Sequence, residues 1–396
     1  FKQKTAYEIG VRLVGSEMCI RDRWFTPPYW RSDISIEEDL IEEIVRISGY
    51  DEVPTEMLSS QIPHQRQNIK YDIREQTKDL LVASGMQEII SYPLISQQSI
   101  DKLGGVIQKN PLKVANQMSS EFVFARPTLR ASMLQTLSYN QQSSGEQNFK
   151  LFEVGRVFLP TEIPSAETPL PNEIEMITGI LSGKRNELSW IQSSENLDFF
   201  DGKGILENLF SNLGIHPTYH LVETSNDEIK PEPLSTVKNI LNTSSSAYIM
   251  SESNLLGVLG EINQKTFQSF DLDKNSGAIF FELDLNAIIS CIAGSKTNYT
   301  QISKFPEAYR DLALVVNDDV LSSTIQNIIH KHKLVINSIP FDLYSGQGVE
   351  IGRKSIAFRI TFQSPQSTLT SKQVDSAMKT ILKQLNQELA AELREI

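Results

Sequence analysis

The order of secondary structure in residues 302–396 is the feature that most restricts how this chain can fold. Leu and Val content predicts a strand at "RDLALVV", and apolar spacing predicts an amphipathic helix at "LSSTIQNIIHKH". Two strands follow at "LVINSIPFDLYSG" and "KSIAFRITFQ", then a long helix with Thr370 as its N-cap and a short strand or helix end near Leu393. The order βαββαβ predicts a ferredoxin-like split βαβ sandwich. Such folds serve RNA binding, ligand regulation and metal transport, so the side chains must indicate the function.

Side chains in this C-terminal module favour contact with single-stranded RNA. Aromatic and basic residues are interleaved along it, a mixture suited to stacking bases and meeting phosphates. The alternative is that the aromatics fill the core, which is the preferred interpretation for Phe358 and Phe362. The candidate RNA-binding residues are Lys304, Tyr309, Arg310, Tyr344, Arg353 and Lys354.

Charge is distributed unevenly between this module and the rest of the chain. The net charge of the 396 residues is −12, which argues against nucleic-acid binding over the whole surface. From Thr300 onward, however, about eleven Lys plus Arg face about ten Asp plus Glu. Any RNA contact is therefore expected to be regional.

Composition indicates a globular protein with two or three domains. No apolar run approaches the eighteen residues of a membrane span, so no membrane partner is expected. The two cysteines, Cys19 and Cys291, cannot form a disulfide framework, and a reducing cytoplasm is the expected compartment.

Residues 1–23 differ in character from the rest of the chain. They have no apolar region of the length that a secretory signal requires, and Leu13 to Arg23 matches the coding of a transposon-end sequencing adapter. The segment is expected to be non-native, with an ordinary N-terminal strand or helix as the alternative. The chain is then expected to be a fragment of a protein that extends further upstream.

An acidic helix is predicted after Ser35, the candidate N-cap. Its apolar side is expected to be buried and consists of Leu40, Ile41, Ile44, Val45 and Ile47. Asp39, Glu42 and Glu43 stand at i, i+3 and i+4 and so share a face, and Asp33 precedes them. A solvated acidic first turn and a Mg²⁺ site with oxygen ligands both explain this pattern.

The central region, residues 61–300, mixes predicted strands and helices and favours an α/β core with a largely antiparallel sheet. A working nucleotide site needs fixed donors for phosphate, such as a glycine-rich loop with an arginine. No such segment lies between Phe280 and Thr300. Arg126, Arg130 and Arg156 are expected to have structural or interface roles rather than to bind phosphate. The five histidines are expected to be structural or exposed, since none lies near a nucleophile motif.

Stretches in three regions of the chain resemble the β subunit of bacterial phenylalanine-tRNA ligase. The first is "PPYWRSDISIEEDLIEEIVRISGYDEVP", and the central ones are "RPTLRASMLQTLSYN", "LFEVGRVF" and "DFFDGKG". In the C-terminal module "KFPEAYRDLALVV", "FDLYSGQGVEIGRKSIAFRITFQ" and "TLTSKQVDSAM" are similar to the family. The resemblance extends from about Trp24 to the C-terminus in the family's order.

The resemblance implies an α+β fold with three parts. Residues 24–60 would end a DNA-binding-like domain that carries an acidic metal site. Residues 61–300 would form a non-catalytic class II aminoacyl-tRNA synthetase-like domain with a mixed or antiparallel sheet, and residues 302–396 a ferredoxin-fold anticodon-binding domain.

The resemblance also implies sites and partners. Mg²⁺ would be held by Asp33, Asp39, Glu42 and Glu43 at a site shared with the α subunit. The C-terminal module would bind phenylalanine tRNA, and two α and two β chains would assemble. ATP and phenylalanine would be bound by α, with no catalytic residue in this chain and no editing from it. The alternatives are an RNA-binding scaffold without a synthetase partner and an enzyme with its own central active site.

Overall fold

A computed structural model describes most of the chain. The described residues are 18–20, 23–57, 59, 68–104, 111–144, 148–161, 170–186, 189–191, 195–222, 234–273, 276–294, 299, 301–346 and 348–394. Most of the segment 1–23 therefore lies outside the described residues, and its expected non-native origin stays a prediction. The chain divides into two units, Phe1–Ile73 and Arg74–Ile396. No helix among the described residues is long and apolar enough to cross a membrane.

The first unit contains a short hairpin and the acidic helix. Strands β1, Met18–Ile20, and β2, Arg23–Phe25, pair antiparallel. Helix α1, Glu37–Ser48, is followed by a 3₁₀ turn at Tyr50–Glu52, and helix α2, Ile69–Ala83, continues into the second unit.

Two expectations for α1 were wrong. The N-cap is Ile36 rather than Ser35, because the Asp39 carboxylate reaches back and accepts hydrogen bonds from both backbone amides that precede the helix. Of the predicted apolar side, Leu40 is buried, but Ile41, Ile44 and Ile47 are exposed. Helical periodicity identifies an apolar face and does not say whether a neighbour covers it.

The second unit begins with a seven-stranded sheet in the order β3-β6-β7-β11-β10-β9-β8. Its strands are β3 Gln87–Glu88, β6 Phe149–Leu159, β7 Asn172–Ser182, β8 Thr218–Leu221, β9 Leu241–Ser251, β10 Asn254–Ile262 and β11 Ala278–Asp284. All neighbours pair antiparallel except β3 and β6, which are parallel, so the predicted largely antiparallel sheet is confirmed. A separate antiparallel pair joins β4, Leu94–Ile95, to β5, Phe124–Ala125.

Helices cover this sheet and close its core. They are α3 Gln97–Lys102, α4 Arg130–Ser143, α5 Phe199–Asn212, α6 Gln264–Ser269 and α7 Leu285–Gly294. Helix α4 packs on β6 and β7, and its Met133, Leu134 and Leu137 are fully buried there. Gly179 in β7 stands opposite Phe281 in β11, and a side chain at Gly179 would collide with the Phe281 ring.

Buried ion pairs tie the first residue of α4 and the loop before it to the sheet. Arg130 and Glu282 approach to 2.6 Å, and their side chains are 1% and 0% exposed. The Thr128 hydroxyl donates to the second Glu282 oxygen at 2.9 Å. The carboxylate is therefore hydrogen-bonded on both oxygens, as a buried charge requires.

A second buried pair joins Arg126 to Glu153 at 2.8 Å. The Ser91 hydroxyl donates to the same carboxylate at 2.6 Å, and Arg126 Nε donates to the Arg156 carbonyl. Arg156 itself forms an exposed pair with Glu173 at 2.9 Å. All three arginines therefore engage carboxylates of the same unit, in agreement with the structural roles expected for them.

The C-terminal module is the predicted βαββαβ unit. Its elements are β12 Ala308–Asn317, α8 Ser322–His330, β13 Val335–Tyr344, β14 Arg353–Phe362, α9 Ser371–Leu389 and β15 Glu392–Leu393. The strand order is β13-β14-β12-β15, with every pair antiparallel, and Thr370 is the N-cap of α9 as predicted. One core cluster joins both helices to one face of the sheet and includes Phe358 and Phe362, which are 0% exposed.

The buried Arg130–Glu282 pair predicts that the protein loses stability when one partner is removed. Replacing Glu282 by Ala removes the buried carboxylate that the Arg130 guanidinium contacts, and the free energy of unfolding should fall by about 3–5 kcal/mol. Urea unfolding followed by circular dichroism measures this change. The matched control is Glu173→Ala, which breaks the exposed Arg156 pair and should cost less than about 1 kcal/mol. Equal losses in the two variants would contradict the burial argument.

Candidate nucleic-acid interface and acidic cluster

The sheet of the C-terminal module has one covered and one open face. Ile356, Phe358, Ile360 and Phe362 of β14 point into the helix-covered core. Because side chains alternate along a strand, Ser355, Ala357, Arg359 and Thr361 point to the other face. Both helices of the module pack on the first face, so neither of them covers the second, which we call the open face. On β14 only Arg359 of this face is exposed, whereas the small side chains of Ser355, Ala357 and Thr361 are buried.

Arginine–aromatic pairs mark the open face. The Arg359 guanidinium lies 5.6 Å from the centre of the Phe341 ring, and that of Arg394 lies 4.9 Å from the centre of the Tyr344 ring. Phe341 is 55% exposed and Tyr344 36%. Cation–π contact holds each guanidinium against a ring that remains accessible. Exposed rings beside fixed cations can stack bases and meet phosphates.

Cross-strand pairing positions Arg359. Asp311 of β12 is its direct partner in the antiparallel register, and the two side chains form a two-pronged ion pair with distances of 2.7 and 2.8 Å. Hydrogen bonds from Arg359 hold the pKa of the Asp311 carboxyl below its usual range. The pair fixes the guanidinium plane, since a bidentate contact restrains its rotation.

The structure does not gather the six predicted RNA-binding residues. Tyr309 and Tyr344 lie on the open face, and a hydrogen bond from the Tyr309 hydroxyl to Glu307 raises the tyrosine pKa. Arg310 points to the helix side and reaches Asp375 of α9 at 3.3 Å.

Lys304 is exposed ahead of β12. Lys354 lies on the helix side of β14 and donates to the Asp318 carbonyl. By the alternation of β14, Arg353 lies on the same face as Ser355 and Arg359, but its side chain is only 17% exposed and pairs with Glu392 at 3.2 Å. Alternation along β14, with Phe358 in the core, separates Lys354 from Arg359, and the predicted set did not apply it.

Three residues of the open face were missing from the predicted set. Phe341 and Arg359 belong to the interleaved aromatic and basic residues of the module. For Arg359, the sequence signal was the alternation along β14, which puts Phe358 in the core and its neighbour Arg359 on the other face. Arg394 lies just after the last strand, where its backbone amide donates to the Ala313 carbonyl. Only the pairing of β15 with β12 brings it to Tyr344.

In the acidic cluster of the first unit, a guanidinium lies between two of the four carboxylates. Nη2 of Arg31 is 2.6 Å from an oxygen of Asp33 and 2.6 Å from an oxygen of Glu43. The other Glu43 oxygen accepts from Arg46 at 2.7 Å. Hydrogen bonds from Arg31 lower the pKa of Asp33 and, together with those from Arg46, the pKa of Glu43.

The other two predicted ligands are placed differently. Asp39 accepts the Ser35 and Ile36 amides at 2.7 and 2.9 Å, and these bonds lower the pKa of its carboxyl. Glu42 is on α1 next to Glu43 and is exposed. Within the described residues, no group of three or more His, Cys, Asp or Glu is arranged to hold a metal ion. Carboxylate oxygens are ligands that suit Mg²⁺. In the structure, however, the Arg31 guanidinium contacts two of these carboxylates, those of Asp33 and Glu43.

Comparison with known families decides the classification. Residues 53–285 match the model of the phenylalanyl tRNA synthetase beta chain CLM domain. The chain belongs to this family. Residues 303–394 match the ferredoxin-fold anticodon binding domain, and residues 20–50 match the tRNA synthetase B5 domain. The resemblance drawn from the three sequence segments and the α+β fold are thereby confirmed.

Curated relatives agree with this membership. The chain is 34% identical over 93% of its length to a protein of Dehalococcoides mccartyi strain 195 named phenylalanine--tRNA ligase beta subunit, and covers 43% of it. Proteins of the same name are 32% identical in Lactiplantibacillus plantarum and 31% in Clostridium acetobutylicum, each over 93% of this chain and covering 44% and 43% of the relative. The chain thus spans less than half the length of the curated relatives it matches.

The Asp311–Arg359 pair predicts how the pKa of Asp311 changes when Arg359 is replaced. Replacing Arg359 by Gln removes the hydrogen bonds to the carboxylate, so the pKa of Asp311 should rise toward the ordinary value of about 3.9. Carboxyl-carbon NMR over pH 2–6 measures it. Because the native pKa is depressed, the pair contributes stability above the unfolded pKa and loses it as the pH falls through the folded pKa.

Lys354→Gln is the control for that titration, since Lys354 lies on the opposite side of the same strand. An Asp311 pKa that is the same in wild type and Arg359→Gln would contradict the observed pairing.

Proposed function

We propose that this chain acts as part of the β subunit of a phenylalanine-tRNA ligase, which attaches phenylalanine to its tRNA in an ATP-dependent reaction. The observation that carries the proposal is the match of two successive regions, 53–285 and 303–394, to a synthetase beta-chain domain and an anticodon-binding domain. The names of the relatives support this interpretation over that of a scaffold without a synthetase partner.

The chemistry of aminoacylation is assigned to the α subunit, in an assembly of two α and two β chains in the cytoplasm. α would bind ATP and phenylalanine. Arg126 and Arg130 support this division, because both are buried in ion pairs with Glu153 and Glu282 and cannot meet a triphosphate without breaking them. The central domain would pack against α and stabilise it. Such support would help α to hold the reacting groups in the orientation that the reaction needs.

The open face is proposed as the tRNA-binding surface of this chain. Phe341 and Tyr344 would stack unpaired anticodon bases, while Arg359 and Arg394 would meet the adjacent phosphates. Tyr309 lies on the same face and is 55% exposed. Of the predicted set, Lys304, Arg310, Arg353 and Lys354 would contribute charge around the module rather than base contacts.

A Mg²⁺ ion is proposed at Asp33, Asp39, Glu42 and Glu43. The ion would supply positive charge that offsets the repulsion among four carboxylates. In the observed arrangement Arg31 supplies that charge to Asp33 and Glu43. Binding of the ion by these two residues therefore requires the guanidinium to withdraw.

Assembly with α tests the overall proposal. The chain co-expressed with the α subunit of the same organism should co-purify with it, and native mass spectrometry should show equal numbers of the two chains. A chain that remains separate from α at micromolar concentration would contradict the proposed subunit role and favour the scaffold interpretation.

Substitution of the aromatic residues on the open face tests the proposed tRNA contact. The variant Phe341→Ala, Tyr344→Ala should bind an anticodon stem–loop RNA about tenfold or more weakly, because each lost base stack costs about 1–3 kcal/mol. Fluorescence anisotropy with the full chain measures the affinity. Tyr139→Ala is the control, since Tyr139 is 70% exposed but belongs to α4 of the central domain. Equal affinities in both variants and wild type would contradict the proposed face.

Metal binding is tested by calorimetry with Mg²⁺ and Mn²⁺. Asp33→Asn, Glu43→Gln should abolish binding to the first unit, because it removes two of the four proposed ligands. The control variant Glu37→Gln, Glu38→Gln also removes two negative charges, from the first turn of α1, and should retain metal binding. Unchanged affinity in the Asp33, Glu43 variant would contradict the site.

A further inference from the structure

A row of lysines runs along the outer side of α9. The helix buries Val374, Ala377, Ile381 and Leu385 against the module core. At 100° per residue, Lys372, Lys379 and Lys383 lie within about 40° of one another and on the side opposite this buried stripe. All three side chains are exposed. We call these three residues the lysine ridge.

The acidic residues of α9 do not neutralise the ridge. The helix has two, and each is engaged by a basic residue from outside the helix. Asp375 pairs with Arg310 of β12 at 3.3 Å, and Glu388 pairs with Lys331 at 3.0 Å. Ser376 and Thr380 are the polar residues between the lysines. The ridge is therefore a local concentration of positive charge on a chain whose net charge is −12.

The dimensions of the ridge suit a nucleic-acid backbone. The eleven steps from Lys372 to Lys383 span about 16 Å at 1.5 Å per residue. A helical nucleic-acid strand carries one phosphate per about 3.4 Å of its axis, so the ridge can face several successive phosphates. Lysine suits such contacts, because its ammonium group is a mobile point charge that needs no fixed geometry.

A membrane surface fits the ridge less well than RNA. A helix that lies in a lipid interface needs an apolar face free to enter the acyl region. The apolar stripe of α9 is already buried in the module core, as Ile381 and Leu385 at 0% exposure illustrate. The exposed lysines of α9 can still contact phosphates without any apolar insertion.

We propose that the lysine ridge is a second RNA-contacting surface, which binds the sugar–phosphate backbone of the tRNA on the side of the module opposite the open face. The inference rests on the proposed tRNA binding and adds a surface to it. The open face would read bases by stacking, and the ridge would contribute affinity that depends on salt rather than on sequence.

The salt dependence of tRNA binding tests the ridge. The full chain is titrated with transcribed phenylalanine tRNA at several salt concentrations, in wild type and in Lys372→Gln, Lys379→Gln, Lys383→Gln. Each released counterion contributes about 0.7–0.9 to the slope of log K against log salt, so the triple variant should lower the slope by about two. The corresponding Lys→Arg triple variant retains the charge and should retain the slope.

Two controls separate this inference from the proposed function. Lys70→Gln, Lys113→Gln, Lys265→Gln removes three charges outside the module and should leave the slope unchanged. Phe341→Ala, Tyr344→Ala should weaken binding with the slope preserved. If the aromatic variant weakens binding and the ridge variant keeps the wild-type slope, the ridge inference is wrong while the open face stands.

Three further results would overturn the inference. If wild type does not bind tRNA, the ridge and the proposed function both fail. A slope that falls equally in the ridge variant and in the lysine control would indicate net charge rather than a surface. Ridge-dependent binding to phosphatidylserine vesicles, with an unchanged tRNA slope, would assign the ridge to a membrane.

Discussion

The antiparallel pairing of β12 with β14 is the constraint on which the C-terminal module depends. It runs through ten residue pairs, from Ala308 opposite Phe362 to Asn317 opposite Arg353. This register puts Leu312 opposite Phe358 in the core and Asp311 opposite Arg359 on the open face. A slip by one residue would exchange the two faces and expose the apolar set, so burial of the core also fixes which side chains lie on the open face.

Electrostatic pairing in the central domain engages the arginines that precede and begin α4. The buried carboxylates of Glu153 and Glu282 take the arginines that precede and begin α4, and hydroxyls of Ser91 and Thr128 complete their hydrogen bonds. An arginine held in this way stabilises the fold and is withdrawn from ligand chemistry. The same residue type therefore has a structural role in the central sheet and a surface role in the module.

In the acidic cluster, the proposed Mg²⁺ ion would compete with Arg31 for two of the carboxylates. Arg31 satisfies Asp33 and Glu43, and Asp39 is used by the backbone before α1. A divalent ion concentrates charge more strongly than a guanidinium but must first displace it. Occupancy of the proposed site would depend on whether a neighbouring surface favours withdrawal of the arginine.

Local sequence patterns predicted the elements of the module, the N-cap at Thr370, the core positions of Phe358 and Phe362, and the largely antiparallel central sheet. These features follow from side-chain periodicity and capping chemistry, which act over a few residues. The candidate site was predicted less well, because Arg310 and Lys354 are strand neighbours of open-face positions but point to the opposite side. Arg394 and Tyr344 are fifty residues apart and meet only through strand order.

The sequence by itself thus determined which segments form strands and helices, which rings are buried in the module, and which family the segments resemble. Only the tertiary structure decided which charges meet. Arg31 reaches Glu43 twelve residues later, and Arg130 reaches Glu282 across 152 residues. The physical reason is that periodicity specifies the face on which a side chain lies, whereas its partner is selected by the packing and pairing of elements distant in the chain.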